Sequence, residues 1–247
     1  MNRVKKILLI GGTEEAARLN QALVERADVD LITSLAGRTR NPAPLAGTIL
    51  TGGFGGVSGL EDFIRGHHID LVIDASHPFA ETITQNAYSA CKKSDVPYFR
   101  YQRPAWTPKT GDRWLHANTV RDAAAATDGF GRIFLTIGRQ DLAPFETLSA
   151  KHFLIRSIEP ISFNPPSSTV EAVQARGPFS FSDETDLLSA KKIDLLVTKN
   201  SGGAATYAKI EAARNLGIAV VMIDRPEVPA CPVFGSIDRL LAAAGMV

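Results

Sequence analysis

Cysteine is nearly absent from this chain: there are 2 among 247 residues, Cys91 and Cys231, with no Cys-x-x-Cys and no cluster with histidine. That excludes a disulfide framework and a cysteine-built zinc site, so no metal is expected, and it fits a reducing cytoplasm as the place of work. An excess of charge of one sign is lacking too. The 27 basic and 26 acidic side chains leave a formal charge of +1, so no global field favours nucleic acid or an anionic membrane as a partner. Any anion site has to be assembled locally. Long apolar runs are also missing: residues 4–10 are interrupted by Lys5 and Lys6 and end in glycines, far short of the ~20 residues a bilayer requires.

What the chain does have is alternation. Short runs rich in Val, Ile and Leu, such as residues 5–10, 29–33, 69–74 and 96–100, are separated by helical patterns. Ala16, Leu19, Asn20 and Leu23 form one such stripe, and residues 78–93 another. Ser58 with Glu61 predicts a capping box opening a short helix to Arg65. This order argues for parallel βαβ units covered on both faces, an α/β fold. The order then returns. Ile-Asp-Leu-Val-Ile-Asp from Ile69 and Ile-Asp-Leu-Leu-Val-Thr from Ile193 are each followed by a polar loop, a helix, a strand and an Arg-Pro pair, Arg103-Pro104 and Arg225-Pro226. Ile7-Leu-Leu-Ile-Gly-Gly likewise resembles Phe134-Leu-Thr-Ile-Gly-Arg. Two Rossmann-like halves from an internal duplication are expected, 1–115 and 116–247, with a cleft between them; convergent βα patterning is the alternative for either match alone. Residues 164–168, rich in Pro and Ser, read as a surface loop.

Gly11-Gly12-Thr13-Glu14-Glu15-Ala16 follows the first strand and opens a helix, the setting in which backbone N–H groups and the helix dipole hold a pyrophosphate. Thr13 replaces the second glycine of the dinucleotide fingerprint and brings a hydroxyl able to bond a phosphate oxygen; Glu14 and Glu15 repel phosphate, so at least one is expected to point away. A tight turn without a ligand is the alternative. The second strand ends in Thr33-Ser34-Leu35-Ala36-Gly37-Arg38 with no acid for the ribose of NAD. Ser34 and Arg38 suit the extra phosphate of NADP, although Arg40 can fill the role and Arg38 can equally be an ordinary surface arginine. Gly52-Gly53-Phe54-Gly55-Gly56 allows close approach to a flat ligand on which Phe54 stacks, or else Phe54 is tucked into the core.

Asp74-Ala75-Ser76-His77-Pro78-Phe79-Ala80 leaves the carboxyl end of a buried strand, where open α/β sheets bind ligands. His77 is either a proton donor or a capping residue. Thr198-Lys199-Asn200-Ser201-Gly202-Gly203 occupies the same place in the second half and reads as an anion cradle, or as a capped helix start with an exposed lysine. With Arg139 and Arg225 it makes a local basic site for a polyanionic substrate.

Taken together, the Gly-Gly-Thr-x-Glu-Ala turn, Gly-Gly-Phe-Gly-Gly, Asp-Ala-Ser-His-Pro-Phe-Ala, Arg-Pro-x-Trp at residues 103–106, and Thr-Lys-Asn-Ser-Gly-Gly resemble the precorrin-6A reductase family in their order and along essentially the whole chain. Ser76 departs from the threonine of many relatives but keeps the hydroxyl. The resemblance implies NADPH-dependent reduction of one double bond of the precorrin-6A macrocycle, giving precorrin-6B, in cobalamin biosynthesis. It implies a tetrapyrrole as small-molecule substrate and transient contact with neighbouring pathway enzymes. The site it implies places Ser76, His77 and Lys199 at the reacting atoms; Gly11, Gly12, Thr13, Glu14, Ser34, Arg38, Gly53, Phe54, Gly55 and Asp74 on the cofactor; and His77, Arg103, Arg139, Lys199, Asn200, Ser201, Gly202 and Arg225 on the substrate. An NADP-sensing protein without catalysis, and a group transferase with two similar halves, are the competing classes.

Overall fold

The computed structural model describes residues 3–37 and 44–246. They form two compact units, Met1–Arg103 with Pro226–Val247, and Pro104–Arg225. The boundary thus differs from the expected one at 115, and the chain crosses it at the two Arg-Pro pairs that mark the repeat.

The first unit holds β1 (Lys5–Ile10), β2 (Val29–Leu35), β3 (Thr48–Thr51), β4 (Leu71–Asp74), β5 (Tyr98–Tyr101) and β12 (Val233–Phe234), all parallel, in the order β12-β5-β4-β1-β2-β3. Alternate residues of its strands feed two cores. Ile7, Leu9, Leu31, Leu71 and Ile73 pack with Ala16, Leu19 and Leu23 of α1 (Glu14–Val24) and Leu240 of α7 (Ile237–Ala243). Leu8, Ile10, Ile32 and Val72 pack with Leu60 and Ile64 of α2 (Gly56–Gly66) and with Ala87, Ala90 and Cys91 of α3 (Glu81–Ser94). Burial of each large aliphatic chain contributes ~1.5–3 kcal/mol, which is why a sheet covered on both faces reads as near-continuous apolar runs. Burial pushes the Cys91 thiol up to about 12, so it is a core residue.

The expected capping box at Ser58 does not form. Gly55, in the left-handed region at φ 79°, is the N-cap of α2 without a side-chain bond, so Ser58 falls inside the first turn and Glu61 pairs with Arg65 instead. Gly59 lies against the Phe54 carbonyl, where a Cβ would collide; that contact sets the start of the helix.

The second unit repeats the plan with β6 (Trp114–Ala117), β7 (Arg132–Leu135), β8 (His152–Ser157), β9 (Thr169–Gln174), β10 (Leu195–Lys199) and β11 (Ala219–Ile223), in the order β6-β11-β10-β7-β8-β9. Its helices are α4 (Val120–Ala125), α5 (Phe181–Ala190) and α6 (Ala208–Asn215). Counting β1 and β7 each as first, both sheets have the doubly wound order 3-2-1-4-5-6, with β12 and β6 in the respective sixth places, and the ligand crevice of that order lies where the winding reverses. That point is between β1 and β4 in the first unit and between β7 and β10 in the second. The sixth strands are exchanged: β6, which follows the first half of the sequence, pairs with β11, and β12, at the end of the second half, pairs with β5.

Candidate functional site

At the reversal point of the first sheet the two glycines of the β1–α1 turn have different tasks. Gly11 donates to the Ser34 carbonyl (2.8 Å) and a Cβ there would press on Leu35, whereas Gly12 sits at φ 110° with open space where a Cβ would be. The turn is therefore closed toward the sheet and open toward solvent. Thr13 caps α1, its Oγ1 accepting from Ala16 N (3.1 Å) and donating to the Ala75 carbonyl (2.8 Å). The hydroxyl proton is engaged within the protein, tying the β1 turn to the β4 loop. The backbone N–H groups of the first helical turn lack intrahelical acceptors, and that of Ala16 is met by the Thr13 hydroxyl. Glu14 is exposed. Glu15 is turned inward, 2.6 Å from Arg103.

Asp74 is turned into the fold. It is fully buried; Oδ1 accepts from Ser76 N (2.9 Å), and Oδ2 accepts from Thr84 Oγ1 (2.8 Å) and Tyr98 OH (2.7 Å) and pairs with Arg100 Nη1 (2.5 Å). Burial first, then the Asp74 charge, raises the Tyr98 phenol, which stays a donor. The carboxylate thereby fixes the loop that carries Ser76. The Ser76 hydroxyl is buried and has no hydrogen-bond partner, yet it lines a recess of about 10 Å³, room for one water, together with Thr13, Tyr101 and Arg103. An orphaned buried hydroxyl beside an open glycine turn is the kind of group a ligand satisfies. His77 Nδ1 accepts from Phe79 N (3.2 Å), which leaves the proton of the neutral ring on Nε2.

In the 52–56 loop, Cβ atoms added at Gly52, Gly53, Gly55 or Gly56 would meet nothing. Phe54 takes the core alternative, edge-on to Phe63 at 5.1 Å and packed on the α2 cluster. Ser34 is buried at the end of β2; Arg38 and Arg40 lie outside the described residues.

The second sheet carries its charge at the equivalent point. Lys199 Nζ lies 2.6 Å from Asp141 Oδ2, joining the end of β10 to the short 3-10 turn Arg139–Asp141 that follows β7. Asp141 is not among the expected site residues; in this loop the sequence points to Arg139, which is exposed. Other residues of the expected cradle hydrogen-bond within the unit. The Asn200 side chain exchanges hydrogen bonds with the Trp106 backbone (2.8 and 3.0 Å), and Arg225 donates to the Asn200 and Ser201 carbonyls (2.8 and 3.1 Å). Ser201 is buried. Gly202, at φ 67°, has the Pro104 carbonyl and Arg225 where a Cβ would go; it is glycine for want of space, not to open a site.

Below this loop Lys209 is buried, donating to the Thr206 carbonyl (2.9 Å) with its ammonium 5.3 Å from the Trp106 ring. Glu184 of α5, in a two-pronged pair with Arg156 of β8, also faces it. Desolvation pushes the lysine down to about 7, against ~10.4 for an unfolded chain. Between those values the unfolded state binds the extra proton, so stability is expected to rise with pH across this window. Urea unfolding of Lys209→Met at about pH 7 and about pH 10 should show this rise reduced relative to wild type; an unchanged rise would show that Lys209 does not titrate there.

Among the described residues no group of three or more His, Cys, Asp or Glu can hold a metal, and no helix is long and apolar enough to cross a membrane. A family profile described as precorrin-6x reductase CbiJ/CobK matches residues 6–244. The chain belongs to the CbiJ/CobK family. The precorrin-6A reductase of Rhodococcus erythropolis is 46% identical over 98% of this chain and 97% of its own. The cobalt-precorrin-6A reductase of Priestia megaterium is 31% identical over 74% and 76%. A solved structure of CobK precorrin-6A reductase superposes with a TM-score of 0.90 at 38% identity, covering 98% of this chain and 96% of that one. The Rossmann-like α/β fold of this CbiJ/CobK chain is shared with that structure.

Proposed function

We propose that this protein reduces one double bond of precorrin-6A with NADPH, giving precorrin-6B, in cobalamin biosynthesis. The observation that carries the reading is the 46% identity to a precorrin-6A reductase over nearly the whole of both chains; the lower identity to the cobalt-precorrin enzyme favours the metal-free substrate. The first unit takes the cofactor and the second the carboxylates of the tetrapyrrole. Bound NADPH supplies the hydride. The open turn at Gly12 and the orphaned Ser76 hydroxyl fit such a ligand, with first-turn N–H groups of α1 on the pyrophosphate. Ser76 and His77 lie on the loop nearest to it, and Lys199, its ammonium oriented by Asp141, holds a substrate carboxylate. The protein's part is to bind and orient, since the conjugated macrocycle itself delocalises charge.

NADPH is expected to bind far better than NADH, because no acidic residue ends β2. Calorimetric titration of Arg38→Ala should show a loss of ~1.5–3 kcal/mol for NADPH and little for NADH. Equal weakening of both would remove Arg38 from the 2′-phosphate.

A further inference from the structure

Glu15 presents a difficulty that the cofactor reading leaves open. It is the second residue of α1, within the turn whose N–H groups are proposed to take a pyrophosphate, and a carboxylate there opposes phosphate. Its side chain is 10% exposed and that of Arg103 18%, and the two are 2.6 Å apart. Both border the recess that also exposes Thr13 and the unpartnered Ser76 hydroxyl. The pair thus stands against the phosphate turn and is largely withdrawn from water, where charges act over longer distances than at an open surface.

The repeat supplies a second line of support. Arg103 and Arg225 open the two Arg-Pro pairs, and each reaches back to the ligand-edge loop of its own unit. Arg225 binds the Asn200 and Ser201 carbonyls, whereas Arg103 binds a side chain that is itself charged. A fastening role alone is served by carbonyls, as Arg225 demonstrates; the Glu15 partner adds charge cancellation.

We infer that Arg103 is a positioning residue for the cofactor: it neutralises Glu15 beside the phosphate turn, so that the turn accepts a pyrophosphate. This rests on the proposed binding of NADPH at that turn and changes the role of Arg103 from the expected substrate contact. The signs of the two single substitutions differ. Arg103→Met, which keeps bulk and loses charge, leaves a carboxylate facing the phosphates and should weaken NADPH binding on the order of ten-fold. Glu15→Gln leaves the arginine uncompensated and should bind NADPH at least as tightly as wild type, with any gain shrinking as salt is added. Glu15→Gln with Arg103→Met should return to within about two-fold of wild type.

The test is calorimetric titration of NADPH into the four proteins at low and high salt, with the melting temperature of each measured without cofactor. If Arg103→Met does not fold, the sign for Glu15→Gln decides alone. Weaker binding by Glu15→Gln, or failure of the double variant to recover, overturns the inference and makes the pair a structural latch. Wild type that does not bind NADPH overturns the cofactor reading itself, a separate outcome; wild type that binds while Arg103→Met is unchanged overturns only this one.

Discussion

Lys199→Ala is expected to lower turnover with precorrin-6A by about two orders of magnitude, the scale set by removal of one oriented charge from a reaction site, while leaving NADPH affinity close to wild type. The lysine ends β10 at the reversal point of its sheet, and the 2.6 Å contact to Asp141 holds the ammonium in one orientation. Lys199→Arg keeps charge but not the compact ammonium, so partial recovery is expected. Asp141→Asn should weaken substrate binding less than Lys199→Ala, because the charge stays and only its orientation is lost. Steady-state turnover over a range of tetrapyrrole concentrations, with calorimetric NADPH binding on the same variants, reads all of this. Normal turnover of Lys199→Ala at both low and saturating tetrapyrrole would reduce the lysine to the partner of Asp141.

The second large effect is on stability. Asp74→Ala removes the acceptor of Ser76 N, Thr84, Tyr98 and Arg100 at once and leaves the Arg100 guanidinium, 1% exposed, without its counter-charge. Breaking one side of a buried ion pair costs ~3–5 kcal/mol. Denaturant unfolding without cofactor should therefore show a loss of that size. A residue whose only task was to touch the cofactor would leave this unfolding curve unchanged, and that result would restore Asp74 to the ligand contacts.

Much of this was legible in the sequence because it is written locally. Strands buried on both faces announce themselves as apolar runs, as in β1 and β4, and the glycine turn at Gly11 and Gly12 follows from what a tight strand-to-helix crossing needs. The repeat was legible for the same reason, down to the Arg-Pro pairs at which the chain passes between units. The exchange of the sixth strands was not. Val233–Phe234 is a strand of 2 residues, and which sheet edge it joins is decided by partners distant in sequence. β9 escaped because its alternating, half-exposed residues 169–174 follow a loop rich in Pro and Ser.

The site residues divide on the same principle. The backbone requirement at Gly12 could be read from the chain, but the destination of a polar side chain could not. Asp74, Asn200 and Arg225 have the composition of ligand contacts and are used to hold loops. Asp141 and the Glu15–Arg103 pair depend on neighbours 58 and 88 positions away, a relation no local pattern encodes.

The most direct test of the reductase reading is anaerobic incubation of the purified protein with NADPH and precorrin-6A, following cofactor absorbance and the mass of the tetrapyrrole together. The account predicts that NADPH is oxidised in step with a tetrapyrrole gaining two hydrogens, and that NADH supports the reaction poorly. Tight NADPH binding with no oxidation and an unchanged tetrapyrrole mass would contradict it and leave a nucleotide-sensing protein in its place.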